Sequence, residues 1–259
     1  KEITDKGLLY RFLIKDRIER AYHLGDLDPA YFGYCKWWGV LDDTGELEAL
    51  VLLYTGLRTP AVLTLGSSEA VELVLESAEV TAALPDRFYV HLLPGHLAAI
   101  QNTFEVDALR QMVRMGLTRD TFVPTDEDLS GVRSVGHADT AALVSLYRFY
   151  PDNFFEPYQL ESGFYFGSSE DDQLVAVAGV HIFSEEFDVV ALGNIVTHPD
   201  FRSRGHSRRT TTRLLQALFE RVSVAALNVQ RDNVAARRVY ERLGFVDHVR
   251  YLEGPVKRR

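Results

Sequence analysis

Two short segments hold the residues best suited to chemistry. The first reads Asn194-Ile195-Val196-Thr197-His198-Pro199-Asp200-Phe201-Arg202-Ser203-Arg204-Gly205-His206-Ser207-Arg208-Arg209, with four arginines within eight residues around a glycine. A strand ending near Thr197 and a helix starting near Ser207 would make the intervening residues a strand-to-helix loop. A helix start presents unpaired N–H groups and the positive end of the peptide dipole, which suits phosphate. Gly205 has no side chain to keep a ligand off the backbone. Arg204, Arg208 and Arg209 could add charge-assisted contacts to phosphate oxygens. A surface turn with solvated arginines would read the same way, so the loop alone leaves both readings open.

The second segment, residues 228–245, follows another expected strand. Asn233, Ala236 and Tyr240 recur at spacings of three and four and so share one helix face. Ala236 leaves room on that face, Asn233 offers an amide and Tyr240 a phenol. Taken alone, Tyr240 is equally a half-buried core residue whose hydroxyl finds a backbone partner.

The elements that must position these segments alternate. Beyond a polar boundary at Pro124-Thr125-Asp126-Glu127-Asp128-Leu129-Ser130-Gly131, strands are expected at 132–135, 174–183, 189–197, 224–229 and 245–252. Helices are expected at about 137–150, ended by Pro151, at 208–222, and at 233–243, closed by Gly244. The first half repeats the theme with helices at 6–24 and 69–80. A hairpin of 37–41 and 48–54 turns at Asp42-Asp43-Thr44-Gly45, and further strands lie at 61–65, 88–92 and 109–117. The pattern is that of an α/β chain with helices packed on sheet.

Composition bounds the rest. The chain has 259 residues, 46% of them apolar and 25% charged, which is ordinary for one large or two modest globular domains and excludes a disordered chain. No apolar run approaches the roughly 20 residues of a membrane-spanning helix. The opening Lys1-Glu2-Ile3-Thr4-Asp5-Lys6 is polar with no apolar core behind it, so no secretory signal is expected and a soluble, cytoplasmic protein is the expectation. The single cysteine, Cys35, allows neither an intrachain disulfide nor a cysteine-based zinc site. The net charge of −9 is divided unevenly, with 12 basic against 21 acidic residues in 1–130 but 14 against 5 in 202–259. Such a division suits two kinds of ligand, or simply two solvated surfaces.

Together the two segments resemble the GNAT N-acetyltransferase superfamily. Its phosphate loop, Gln/Arg-x-x-Gly-x-Gly/Ala, is met by Arg202-Ser203-Arg204-Gly205-His206-Ser207, with Ser207 replacing the usual Gly or Ala. Its second signature is matched at Asn233, Ala236, Tyr240, Gly244 and Phe245. The resemblance covers 131–259, and the first half follows it only in element order, with no phosphate loop in its counterpart segment 104–114. It therefore implies a degenerate GNAT-like domain at 1–125 and an acetyl-CoA-binding one at 131–259. Each would be a mixed, mostly antiparallel sheet flanked by helices, with a splayed central strand pair in the second (α/β, α+β).

The resemblance also implies roles. Acetyl-CoA, as co-substrate, would lie between the strand ending at Thr197 and the strand ending near Asn228. Backbone groups of Ile195, Val196 and Thr197 would hold the pantetheine and thioester, and Arg202 to Ser207 the pyrophosphate. Asn233 would reach the pantetheine arm beside Ala236, and Tyr240 would protonate the departing thiolate. Direct attack by an amine needs an N–H donor for the carbonyl oxygen and an acid for the thiolate, but no enzyme nucleophile.

The expected acceptor is a primary amine of a small molecule, amino acid or peptide, and a homodimer is among the assemblies allowed. Many family members carry a Glu in the strand before the loop, whereas Val189 to Asn194 holds no carboxylate. Asp188, Glu185 and Glu186 stand before that strand, and His181 on the preceding strand is equally a packed residue. A water relay with Asn194 orienting the water is the reading adopted. His198 and His206 lack a metal-ligand arrangement, so no metal is expected. Trp37 and Trp38, with Tyr31, Phe32 and Tyr34, read as core before pocket. A sequence pI near 5.4 argues against nucleic acid. A non-catalytic acyl-CoA-binding module is the alternative from another class.

Overall fold

Strands and helices alternate through most of the computed structural model, which describes residues 1–151 and 153–259. Along the chain the strands are β1 (Cys35–Leu41), β2 (Leu47–Tyr54), β3 (Ala61–Gly66), β4 (Arg87–Leu92), β5 (Phe104–Val106), β6 (Arg110–Thr118), β7 (Val132–Ser134), β8 (Phe166–Glu170), β9 (Gln173–Ser184), β10 (Val189–Thr197), β11 (Val224–Gln230) and β12 (Val246–Arg258). The helices are α1 (Lys6–Leu13), α2 (Ala21–Gly25), α3 (Pro29–Phe32), α4 (Ser68–Leu75), α5 (Ala78–Ala83), α6 (Leu97–Gln101), α7 (Thr140–Tyr147), α8 (His206–Leu218) and α9 (Val234–Arg242). They pack as two units. One is Lys1–Arg114 with Gln230–Asp232 and His248–Arg259; the other is Met115–Val229 with Asn233–Asp247.

In the first unit the strands run in the order β1-β2-β3-β4-β12, with β5 also on β12. The β1–β2 hairpin turns where expected, because Asp42 Oδ1 accepts from the N–H groups of Thr44 and Glu46 and Gly45 takes φ +86°. Trp38, Val51, Val62, Val71, Val74, Phe88 and Val90 belong to its core. Trp37 and Trp38 are each 2% exposed, so that aromatic pair is packing and not pocket wall. β3 and β4 pair in parallel, from Ala61↔Tyr89 to Leu63↔His91, and beyond that register they part.

The second unit has the order β11-β10-β9-β8-β7. It too has a parallel pair, β10 with β11, joined from Val189↔Val224 to Leu192↔Leu227 and splayed beyond. Helix α8 buries Thr210, Thr211, Leu214, Leu215 and Leu218 and packs on β8, β9 and β10. Helix α9 starts at Asn233, whose side chain accepts from Ala236 N at 3.1 Å, and ends before Gly244 at φ +97°. A Cβ at Gly244 would lie 2.2 Å from the Thr121 carbonyl oxygen, so glycine is required there twice over.

The fold is of the expected class, mixed but mostly antiparallel strand pairing with flanking helices, but several boundaries differ. The helix expected over 6–24 is two, because Asp16 Oδ1 turns back onto the N–H groups of Ile18 and Glu19 (3.1 and 2.9 Å) and offers the backbone a non-helical partner. The helix expected over 69–80 divides where Ser77 leaves helical geometry at ψ 130°. Strands β5 and β8 were not expected, and β8 carries Gly167, Ser168 and Ser169 in place of branched residues. The last strand continues well past 252, because Leu252–Lys257 pairs with β4 and Val256–Arg258 with β5. The linear division at 125 and 131 therefore does not coincide with the packing units, since the C-terminal segment joins the first of them.

Candidate functional site

The splay of β10 from β11 leaves the β11-facing side of Gly193–Thr197 without a strand partner. Strand β10 also breaks its register with β9 between Gly193 and Val196. Asn194 absorbs that break at φ +54°, a conformation that asparagine tolerates better than most residues. It is held there from three sides. Its Nδ2 donates to Gln159 Oε1 at 2.9 Å and to Tyr165 Oη at 2.8 Å, and its carbonyl accepts from Tyr147 Oη at 2.8 Å. The amide donor of Asn194 is thus committed to the protein, and its observed work is to fix the bulge.

Past Asn194 lie Ile195, Val196 and Thr197 on the open strand end. The Thr197 carbonyl accepts from Tyr150 Oη, while Thr197 Oγ1 is buried with no partner. A 3-10 turn over Pro199–Phe201 then leads into the loop. Two departures to positive φ, Ser203 at +63° and Gly205 at +81° on either side of Arg204, bend the backbone into the start of α8. Such αL positions at a helix start orient N–H groups toward a common point.

The arginines divide by role. Arg202 is exposed, lies 5.8 Å from the Tyr150 ring centroid and donates to Tyr150 Oη at 2.9 Å. Arg204 is exposed over Phe201 and reaches the Asp200 carbonyl. Arg208 is half-buried with Nη1 3.6 Å from Glu127 Oε1. The side chain of His206 does not face the loop. It is 2% exposed, with Nδ1 3.0 Å from both Ser168 Oγ and Arg209 Nη2, and burial followed by Arg209 holds its pKa down. His206 can therefore serve a ligand only through its backbone at the first turn of α8. Ser207 follows it, half-buried.

Asn228 is half-buried on β11, beyond the last residue that pairs with β10. On α9, Asn233 Oδ1 is occupied in capping and Ala236 is half-buried. Tyr240 is 7% exposed with its ring edge-on to Phe245 at 5.9 Å. Burial pushes its pKa up, so the phenol stays a proton carrier.

His181 lies beside Gly193 on β10. A Cβ at Gly193 would lie 2.0 Å from His181 Nε2, so the imidazole occupies the space a side chain would need there. Its Nδ1 is 3.5 Å from Gln159 Nε2, and Gln159 is oriented by Asn194, whose amide requires Gln159 Oε1 as acceptor. In that contact Nδ1 is the acceptor. Tyr147, Tyr150, Gln159, Tyr165 and Glu127 escaped the sequence reading. The tyrosines look like core residues, and nothing local ties Gln159 to Asn194, 35 positions away.

Comparison with known proteins adds to this geometry. The model of the acetyltransferase (GNAT) family matches residues 137–245, which include the splay, the loop and Tyr240. The X-ray structure of a Drosophila protein is similar along the whole chain, with TM-score 0.70, 12% identity, and coverage of 100% of this chain and 98% of that one. A GCN5-related N-acetyltransferase from Sphaerobacter thermophilus gives TM-score 0.62 and 15% identity, covering 97% and 92%. A tandem GNAT protein from the clavulanic acid biosynthesis pathway gives 0.59 and 13%, covering 99% and 97%. At these identities the likeness is one of fold. No curated protein matches the sequence. Among the described residues no helix is long and apolar enough to cross a membrane.

Proposed function

We propose that this chain, whose residues 137–245 match the model of the acetyltransferase (GNAT) family, transfers an acetyl group from acetyl-CoA to a primary amine. The observation that carries the proposal is the splay beyond Leu192↔Leu227 running directly into a loop with Gly205 at φ +81°. An extended pantetheine needs an unpaired strand edge, and a pyrophosphate needs N–H donors at a helix start, and here one strand leads to both. The acceptor is an amine of a small molecule, amino acid or peptide, and the site of action is the cytoplasm.

In this reading the backbone of Ile195, Val196 and Thr197 holds the pantetheine and the thioester carbonyl. Residues Arg202 to Ser207 hold the pyrophosphate, with Arg208 reinforcing the start of α8. Asn228, Asn233 and Ala236 border the pantetheine arm. The amine nitrogen attacks the thioester carbon, and the oxygen that gains charge is stabilised by a strand N–H. As the carbon–sulfur bond breaks, Tyr240 gives its proton to the sulfur and recovers one from solvent. The amine's own proton leaves through water, because His181 Nδ1 already accepts from Gln159. The same observation, with no carboxylate on β10, favours a second reading, an acyl-CoA-binding module without turnover.

Calorimetric titration of acetyl-CoA into the wild type and Gly205→Glu tests the binding. Binding by the wild type alone, with both proteins folded by circular dichroism, supports the loop assignment. Release of free CoA thiol with a panel of amines then separates enzyme from binding module. A folded wild type that binds no acyl-CoA sinks both readings.

A further inference from the structure

The peptide that joins Asn194 to Ile195 lies outside the registers of β10 with both its neighbours. Strand β10 pairs with β11 only as far as Leu192↔Leu227, and with β9 it passes from Gly193↔Gly179 directly to Val196↔Val177. Neither Asn194 nor Ile195 has a residue opposite it, so the ladder does not set the tilt of this peptide plane. The peptide is trans, with its C=O and N–H on opposite sides. A group that holds the Asn194 carbonyl therefore also aims the Ile195 N–H, the first of the strand donors on the open edge.

Tyr147, the last residue of α7, is that group. Its hydroxyl donates to the Asn194 carbonyl at 2.8 Å from a buried side chain, and its ring is stacked on Phe155 at 4.8 Å, which fixes the direction of approach. Burial raises the Tyr147 pKa well above the ordinary phenol value, so the hydroxyl stays a donor. The Asn194 side chain is held just as firmly. Gln159 Oε1 accepts from the Glu156 backbone N–H at 3.0 Å, which can only donate, so the same oxygen faces Asn194 Nδ2 at 2.9 Å. Tyr165 Oη gives its own proton to the Val180 carbonyl at 3.1 Å and accepts from Asn194 Nδ2 at 2.8 Å. Gln159 and Tyr165 are both buried.

Packing alone does not call for this arrangement. A strand that only filled the sheet would keep its ladder with β9 through this point, with no need of a non-glycine residue at φ +54°. Three buried polar side chains instead hold one strained residue immediately before the open edge. Surroundings that fix a sparsely populated conformation in this way serve pre-organisation. A hydroxyl on the carbonyl also polarises the peptide and strengthens its N–H as a donor. An N–H fixed in advance is what a carbonyl oxygen that gains charge requires.

We propose that Tyr147 is a positioning residue for the bound thioester, its hydroxyl acting through the Asn194 carbonyl to aim the Ile195 N–H at the thioester oxygen. The role rests on the acetyl-CoA reading of the open edge. The test uses the full chain and Tyr147→Phe, which keeps the ring and removes the hydroxyl. One readout is the carbonyl stretch of bound acetyl-CoA carrying 13C at the thioester carbon, taken by isotope-edited infrared spectroscopy; the other is kcat, with the best amine of the panel, against the calorimetric Kd. In the wild type the stretch should lie below that of free acetyl-CoA, and in Tyr147→Phe it should return toward the free value. Turnover should fall about tenfold, less than the roughly hundred- to thousandfold that follows outright loss of an oxyanion donor, because the N–H remains but is no longer aimed. The Kd should change less than about twofold, since the pyrophosphate loop is untouched. Gln159→Met, which leaves Asn194 Nδ2 with Tyr165 alone, should move both readouts the same way and serves if Tyr147→Phe fails to fold. An unchanged stretch, unchanged turnover, or acetyl-CoA affinity lost in step with turnover would each overturn the proposal. A wild type that binds acetyl-CoA but acetylates no amine retires the transfer reading alone, and the stretch then decides; one that binds no acetyl-CoA overturns both.

Discussion

Glu127→Gln is the perturbation for which the structure gives the most definite expectation at the loop. Glu127 Oε1 lies 3.6 Å from Arg208 Nη1, and Oε2 lies 2.6 Å from the position a Cβ on Gly205 would take. A carboxylate therefore already rests against the backbone and the arginine assigned to the pyrophosphate. Two anions cannot share those donors without repulsion. Unit charges 4 Å apart interact by about 1 kcal/mol in water and about 4 kcal/mol at an effective dielectric of 20. Because the Glu127 side chain is 37% exposed, the lower end applies. The expected gain is thus about 1–1.5 kcal/mol, or roughly five- to tenfold tighter acetyl-CoA binding. Calorimetry at about 0.05 M and 0.5 M salt should show the gain shrinking as the Debye length falls. Asp128→Asn is the control, since that carboxylate is turned to Ser130 N and Oγ (2.9 and 2.6 Å) and should change affinity less. Stability should change little, as exposed pairs contribute about 0.2–1 kcal/mol. Unchanged or weaker binding by Glu127→Gln at low salt would refute the assignment of the anion to this loop.

Other expectations follow from the same geometry. Tyr240→Phe should lower turnover about a hundredfold while leaving acetyl-CoA affinity nearly unchanged, as read from kcat against a calorimetric Kd; equal turnover would remove Tyr240 as the acid. Since burial raises the Tyr240 pKa, its ionisation should put no alkaline limb on the wild-type rate profile below about pH 10. Gly244→Ala should destabilise the second unit by about 2–4 kcal/mol, combining a positive-φ penalty with collision against the Thr121 carbonyl, and thermal melting of the variant checks this. His23 and His91 are neutral in the fold and ordinary in the unfolded chain, so protonation of the unfolded chain withdraws stability as pH falls below about 6.5. At pH 5 that amounts to about 2 kcal/mol per imidazole. Denaturant unfolding at pH 7 and pH 5 should show a smaller loss in His23→Leu than in the wild type, and identical losses would contradict it.

The sequence by itself determined the strand-to-helix order of the second unit, the position of the loop and the glycines at 205 and 244. Those features are local. Hydrophobic periodicity marks an element, and a residue needing positive φ or a close approach announces itself by being glycine. It also placed Tyr240 with Asn233 and Ala236, because one helix face is set by spacing alone. What only tertiary structure decided depends on residues far apart in the chain. Burial against β8 turned His206 away from the loop that its position in the motif suggested. Gln159, with Tyr165, converted Asn194 from a donor for water into the brace of a bulge. Pairing of Leu252–Lys257 with β4 carried the C-terminal segment into the first unit. Local propensities and spacing are written in neighbouring residues, whereas burial and long-range pairing exist only after the chain has collapsed onto itself.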